Sequence, residues 1–306
     1  GYMGKYDTYT YLDIMTGSRI FYHIMMKYSS AAPEAEDLIN RVLDSFRYFA
    51  PEGEARYTTD FQPEIPEDWT WETRALYNKI AASEDILWGI FTKNVIGEGI
   101  EREIPDIEDR IDFKFDIILT YAALDVGFPT EFMNRCSDEG RIVEMTLQAT
   151  DGNSQGLYGR SPWLALYKTG DDDNIRAFAR AAASFGKPFL FRLNNEMNSD
   201  WVNYGGVANL LDPDIFVRNW RTVYRIFREE GVNNAIWIYN PNDRDAPPNA
   251  WNNQAAYYPG DGYVHLFGVT GYNNGTYYKD LWNENWREFE EIYDRIEAES
   301  SALFGT

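Results

Sequence analysis

The sequence predicts an α/β protein built as a (β/α)8 (TIM) barrel, and three observations predict it. Short apolar runs recur from Leu87 onward, at 87–94, 115–124, 141–150, 187–196, 234–242 and 263–273. Helical stretches such as 172–186 and 212–231 separate several of them, and strands alternating with helices mean βα units on a parallel sheet. Each run also passes at its C-terminal end from apolar residues into polar or aromatic ones: Thr92-Lys93-Asn94, Gln148, Asn194-Asn195-Glu196, Asn240-Pro241-Asn242 and Tyr272-Asn273. A barrel collects its functional residues at those strand ends. A doubly wound sheet would carry a glycine-rich phosphate turn after its first strand, and "GIFTKNVIGEG" does not supply one.

Taken in order, "TYTYLDIM" (8–15) alternates as a strand does, "TGS" turns, and "RIFYHIMMKYSS" (19–30) reads as a second strand. The next segment, "APEAEDLINRVLDSFRYF", places Leu38, Val42 and Phe46 on one helical face, with Pro33 and Glu34 favouring its start. Two strands and a helix make a poor core alone, so residues 1–65 read as the C-terminal part of a small α+β module plus a linker, with Pro63 inside it and Pro66 just past its end. Residues 66–306 read as the barrel. Within it, Asp171–Asp173 and Asp212-Pro213 start helices, while Gly186 and Gly231 stop them. Trp237 is predicted as core, and His265 at the bottom of the sixth strand, away from chemistry. Only six barrel strands are found, followed by an amphipathic helix at 280–300; the expectation is an incomplete barrel whose seventh strand lies beyond Thr306.

Composition limits the partners. The chain of 306 residues carries 49 acidic and 28 basic side chains, a net charge of −21, which argues against nucleic acid or an anionic membrane surface. No apolar run approaches the ~20 residues of a membrane span. Aromatic residues make up 16%, with 10 Trp and 22 Tyr, a surplus that suits carbohydrate, whose C–H faces stack on flat rings. A single Cys136 and two histidines, His23 and His265, give no metal-ligand spacing, so neither metal nor cofactor is called for. No leader is read at Gly1, and the chain is expected to be a processed or incomplete product acting as a monomer.

Within this frame one acid stands out. In "FLFRLNNEMNSDWVNYGG" (189–206) a buried strand ends in Arg192, Asn195, Glu196 and Asn198, with Trp201 and Tyr204 just beyond. Hydrolysis of a glycosidic bond by two carboxylates needs a proton donor over the glycosidic oxygen and a second carboxylate about 5 Å away for retention, or further for inversion. Glu196 fits the donor by position. The plainer alternative is that Glu196 merely pairs with Arg192 to cap the strand.

The segment "KTGDDDNIRAFARAAASFGKPFLFRLNNEMNSDWVNYGG" resembles the core of glycoside hydrolase family 26, in which endo-β-1,4-mannanases dominate. Gly170, Asp173, Ile175, Phe178, Ala179, Gly186, Pro188, Arg192, Glu196, Met197, Asn198 and Trp201 stand in register with its pattern. The resemblance implies an endo-β-mannanase acting by retention, with Glu196 as acid/base and Tyr272 as the tyrosine that orients the nucleophile. It implies a sugar contact from Trp201; by their places at strand ends and in the loops, Arg192, Asn195, Asn198, Tyr204, Gln148, Asn240 and Trp163 are read as further substrate contacts. The nucleophile should end a seventh strand and is expected to be absent from this chain, Glu297 and Glu299 being poor candidates. An extracellular or cell-surface site follows from such a substrate. The family usually has His where Asn195 and Gln148 stand, which leaves a related β-glucanase or xylanase open, alongside a non-catalytic carbohydrate-binding barrel.

Overall fold

A computed structural model describes residues 8–15, 21–28, 33–45, 61–83, 85–149, 162–276, 286–288, 290 and 294. The chain divides into two compact units, 1–56 and 57–306. In the first, β1 (Thr8–Met15) and β2 (Phe21–Tyr28) form an antiparallel hairpin pairing Thr8 with Tyr28 and Met15 with Phe21, followed by α1 (Pro33–Asp44). The hairpin and helix match the sequence reading, but the buried helical position does not. Leu38 and Val42 are exposed and Ile39 is buried. Leu38 and Ile39 are adjacent, so 38/42 and 35/39/43 both satisfy the i, i+4 spacing, and packing selects the second.

In the second unit each of the six apolar runs forms a parallel strand. After α2 (Trp71–Ala81) come β3 (Gly89–Ile90), helical turns at 95–103 running into α3 (Ile104–Ile111), β4 (Ile117–Ala123), α4 (Thr130–Asp138) and β5 (Ile142–Gln148). Then follow α5 (Pro162–Thr169), α6 (Asp173–Phe185), β6 (Phe189–Leu193), α7 (Pro213–Glu229), β7 (Ala235–Tyr239) and β8 (Leu266–Phe267). The strands hydrogen-bond in sequence order, β3 to β8, all parallel. Nearest-neighbour parallel order with covering helices is the arrangement of a (β/α)8 barrel, here six strands of it.

Alternation along the strands sorts their residues into two cores. One set, including Ile118, Val143, Met145, Leu147, Phe191 and Trp237, packs outward on the helices, against Phe178, Phe227 and Trp220. Trp237 meets Phe191 edge-on at 4.7 Å, as expected of a core residue. The other set, Ile117, Ile142, Leu190, Ile236, Ile238 and Leu266, faces Trp69 and the Leu76, Tyr77 and Ile80 face of α2. Leu76, Tyr77 and Ile80 stand at helical spacing, a signal for α2 that the sequence reading passed over. Its Thr70 cap accepts from Thr73 N–H, and Thr70 N–H donates to the Asn233 carbonyl just before β7, so the helix closes the end of the barrel opposite the strand C-termini.

The predicted linker is partly barrel. Phe61 packs edge-on against Phe267 at 4.9 Å, Glu64 N–H donates to the Asp261 carbonyl, and Ile65 joins the inner core. The prolines and acids around these residues concealed two apolar anchors. Helix ends follow the sequence: Asp172 accepts from Asn174 and Ile175 N–H, Asp212 caps ahead of Pro213, and Gly186 and Gly231 adopt left-handed φ of 68° and 79°. Asp171 pairs with Arg176 at 2.8 Å, and Asp172 is the cap, as the helix-start reading expects. Among the described residues no His, Cys, Asp and Glu group could hold a metal, and no helix is long and apolar enough to cross a membrane.

His265 lies at the start of β8, buried, with Nδ1 accepting from Trp237 N–H at 2.9 Å and the Trp69 ring 4.6 Å away. Burial first, then Arg228, pushes its pKa down to about 3. The unfolded chain takes up this proton below ~6.5 and the folded chain does not, so stability present above that pH is lost as pH falls from ~6.5 towards 3. The loss approaches roughly 1.4 kcal/mol per pH unit within that window. His265→Gln should make urea-unfolding free energies decline less steeply between those limits; parallel pH slopes for the two proteins would refute the assignment.

Candidate active site

The strand carrying the acid bends sharply where its ladder ends. Asn194 and Glu196 both have left-handed backbone, with φ of 49° and 59°, a conformation that is costly for a residue bearing a Cβ. Bonds to both neighbouring strands hold it: Asn194 N–H donates to Leu147 O, Asn194 Oδ1 accepts from Ala149 N–H at 2.7 Å, and Glu196 N–H donates to Asn240 O at 2.8 Å. The Glu196 side chain is 7% exposed. Its Oε2 accepts from Trp201 Nε1 at 2.8 Å and its Oε1 from Asn195 Nδ2 at 3.2 Å. Two fixed donors set the plane of the carboxyl while each oxygen keeps a further lone-pair direction.

Around the acid, the polar residues form a supporting layer. Tyr204 is buried and donates from its hydroxyl to Asn195 O at 2.7 Å; Gln148 Nε2 lies 3.4 Å from Asn195 Oδ1. Burial first, then the Glu196 charge, pushes the Tyr204 phenol up. One level deeper, Arg192 donates from Nε to Thr146 Oγ1 at 2.6 Å, from Nη1 to Asn240 Oδ1 at 2.5 Å and from Nη2 to Tyr121 OH at 3.1 Å. It pairs with Glu144 at 3.3 Å. Among the described residues, then, the ion pair of Arg192 goes to Glu144, and Glu196 does not cap the strand as its partner.

Of the residues singled out from sequence, the strand ends bring together Gln148, Arg192, Asn195, Glu196, Trp201, Tyr204 and Asn240. Trp201 is 58% exposed and Tyr272 is 55% exposed, both offering ring surface at the mouth. The Tyr272 phenol is pushed up by burial and, next, by the Glu196 carboxylate, which places it within electrostatic reach of the acid. Three expectations need correction. Trp163 is fully buried in α5 and packs on Phe216 at 5.5 Å, because its helix turns it into the core rather than towards the mouth. Asn198 is fully buried too; its Nδ2 donates to Asn242 O and Asp245 Oδ1 and its Oδ1 accepts from Asn242 N–H, so it ties the β6 and β7 loops instead of facing a ligand. Arg192 likewise faces protein groups, a supporting place rather than a contact one. Tyr257 and Tyr258 pack inside the β7 loop region; Tyr277, Tyr278, Trp282, Glu297 and Glu299 lie outside the described residues. Cys136, buried with its thiol pushed up to about 12, is no nucleophile.

Sequence reasoning missed Glu144, Tyr121 and Thr146, which complete the Arg192 network. A lone acid inside the apolar run "RIVEMTLQAT" was the available signal, since a charge on a buried strand needs a partner. Beside Tyr121, a cavity of about 450 Å³ opens at the ends of β3 and β4, lined by Phe91, Lys93, Asn94 and Thr120.

Residues 170–296 match glycosyl hydrolase family 26. Over that stretch the barrel is similar to the family. The chain is 29% identical over 202 residues, 64% of its length, to Endoglucanase H of Acetivibrio thermocellus, covering 21% of that protein. It is 33% identical over 94 residues, 29% of this chain and 17% of the relative, to mannan endo-1,4-β-mannosidase A and B of Caldalkalibacillus mannanilyticus. The chain thus spans about a fifth of the length of these curated relatives. Among solved structures it shares the fold of a β-mannanase from a symbiotic protist of the termite Reticulitermes speratus, with TM-score 0.55, 16% identity, and 79% of this chain covering 81% of that one. The family-26 domain of a Prevotella bryantii endo-β-mannanase/endo-β-glucanase superposes with TM-score 0.58 at 15% identity, over 80% and 81% of the two chains.

Proposed function

We propose that this barrel belongs to a glycoside hydrolase that cleaves a β-linked polysaccharide internally, a β-1,4-mannan first, with Glu196 as the acid/base of a retaining mechanism. The observation that carries the proposal is the Glu196 carboxyl itself, fixed by Trp201 and Asn195 at the C-terminal ends of the strands. A carboxyl held in one plane with a free lone-pair direction can give its proton to a glycosidic oxygen and later take one from water. Trp201 supplies an exposed ring beside it for a pyranose face. Tyr272 orients the second carboxylate in this reading, and that carboxylate comes from outside the described residues. Names carried by relatives, mannan endo-1,4-β-mannosidase among them, support mannan as the substrate. Such a polymer does not enter cells, so the protein acts outside the cell or at its surface.

A β-glucan is the second reading. The relative named Endoglucanase H aligns over more of this chain than the mannosidases do, and Asn195 beside the acid is a neutral hydrogen-bonding group suited to a sugar hydroxyl. Incubating the full-length protein with β-1,4-mannan, mixed-linkage β-glucan and xylan, followed by product sizing and anomer analysis, separates the two. Manno-oligosaccharides formed with retention are expected; cleavage of glucan alone replaces the substrate, and no cleavage of any of the three removes the hydrolase reading in favour of a binding barrel.

A further inference from the structure

We propose that Arg287 is a positioning residue for this reaction, clamping the end of β8 to the end of β7 and so setting Tyr272 across the mouth from Glu196. The proposal rests on the hydrolase reading above. Arg287 Nη1 pairs with Asp243 Oδ2 at 2.7 Å, with the two side chains only 14% and 4% exposed. Its Nη2 donates to the Tyr272 carbonyl, while its own backbone exchanges bonds with the Asn273 side chain, which accepts from Arg287 N–H and donates to Arg287 O.

The need for a clamp follows from where the β8 ladder stops. The strand itself is Leu266–Phe267, and the last ladder contact with β7 is the bridge between Asn242 and Thr270. Two residues further on, Tyr272 is more than half exposed, so side-chain packing does little to fix it. What holds its backbone is Arg287. Asp243, the other end of the clamp, is itself anchored, its N–H donating to Thr270 O at 2.8 Å. Asn242, its neighbour, receives both ends of the Asn198 side chain, two residues after the acid. A continuous relay therefore runs from Glu196 through Asn198, Asn242, Asp243 and Arg287 to Tyr272.

Arginine suits the task because its planar fork reaches a carboxylate and a carbonyl at once, where an ammonium is a single point. A buried ion pair adds little net stability compared with apolar groups of the same size, so its value here lies in geometry. Displacing a positioned group by 1 Å can lower a rate about a hundredfold.

The test uses the full-length protein with mannohexaose, and 3-fluorotyrosine placed at position 272. Arg287→Met should lower kcat roughly ten- to a hundredfold with KM changed by less than about threefold, and Arg287→Lys should restore only part of it. The ¹⁹F resonance of residue 272 should move and broaden in Arg287→Met. A kcat within twofold of the parent, or an unmoved ¹⁹F resonance, overturns the clamp. If Arg287→Met does not fold, Asp243→Asn takes its place: the same fall in kcat and the same ¹⁹F shift are expected, and the absence of either overturns the clamp. Should Glu196→Gln retain full turnover, the hydrolase reading itself fails, and the ¹⁹F resonance alone then decides whether Arg287 sets Tyr272.

Discussion

Glu196→Gln in the full-length protein is expected to lower kcat on unactivated β-1,4-mannan by about 10²- to 10⁴-fold, the range that a positioned general acid contributes. KM should change little, because the lost interaction belongs to the transition state rather than to sugar binding. Glutamine keeps the shape but not the fit. Oε2 and Oε1 each face a donor, Trp201 Nε1 and Asn195 Nδ2. An amide has one acceptor end, so one of the two contacts becomes donor against donor. Asn195 is restrained from turning to relieve it, since its Oδ1 lies 3.4 Å from Gln148 Nε2. The variant should therefore also lose about 1 kcal/mol of stability, the order expected when a buried hydrogen bond is broken. Substrates with a good leaving group, which need no proton at that oxygen, should recover much of the rate. A variant with parental kcat on mannan, measured by reducing-end release, removes Glu196 from the acid/base role.

The fold was legible because the barrel repeats one pattern. Six apolar runs with polar ends became six parallel strands in sequence order, and the helix caps fell at Asp172, Asp212, Gly186 and Gly231. Where legibility failed, two residues competed for one role or one residue was outvoted by its neighbours. Leu38 and Ile39 offer equivalent helical stripes, and only packing chooses Ile39. Phe61 and Ile65 sit among prolines and acids, so local composition spoke for a linker while long-range contacts placed them on the barrel. Helix α2 buries its apolar face against the barrel interior, a surface that exists only once the sheet is formed.

The site divides along the same line. Residues within a few positions of Glu196 could be named from sequence, because one local turn brings Trp201 and Asn195 to the acid and Tyr204 to Asn195. Gln148 and Asn240 were legible as the polar ends of their apolar runs, and both join this layer. Distinguishing a residue that faces the mouth from one that ties two loops needs coordinates. Asn198 and Trp201 are three residues apart in a polar loop, yet the first is buried between β6 and β7 while the second is exposed. Arg287 lies 44 residues from Asp243, and nothing local to either announces their pairing.

Arg192→Leu should cost about 3–5 kcal/mol of unfolding free energy, the penalty for removing one partner of a buried ion pair. Leucine fills most of the volume and supplies none of the donors. Glu144, 20% exposed, would keep its charge without the guanidinium 3.3 Å away, and its partial contact with water puts the cost towards the lower end of the range. Thr146, Asn240 and Tyr121 would each lose a partner as well. Adding Glu144→Leu should return a large part of the loss, since an apolar pair of similar volume can replace a buried ion pair at little cost. Activity should not return with it. Asn240 is the point where the two roles meet: its side chain accepts from Arg192, and its carbonyl receives the Glu196 N–H that holds the acid's strained backbone. With Arg192 gone, Asn240 keeps the carbonyl of its own neighbour Pro241 and, beyond β8, Thr270 Oγ1 as partners, neither of them on β6, and is drawn away from β6. The double variant is thus expected to melt near the parent temperature while turning over mannan at least tenfold more slowly. Stability and kcat recovering together would show that Arg192 matters only to the fold, and full stability in the single variant would remove it from both roles.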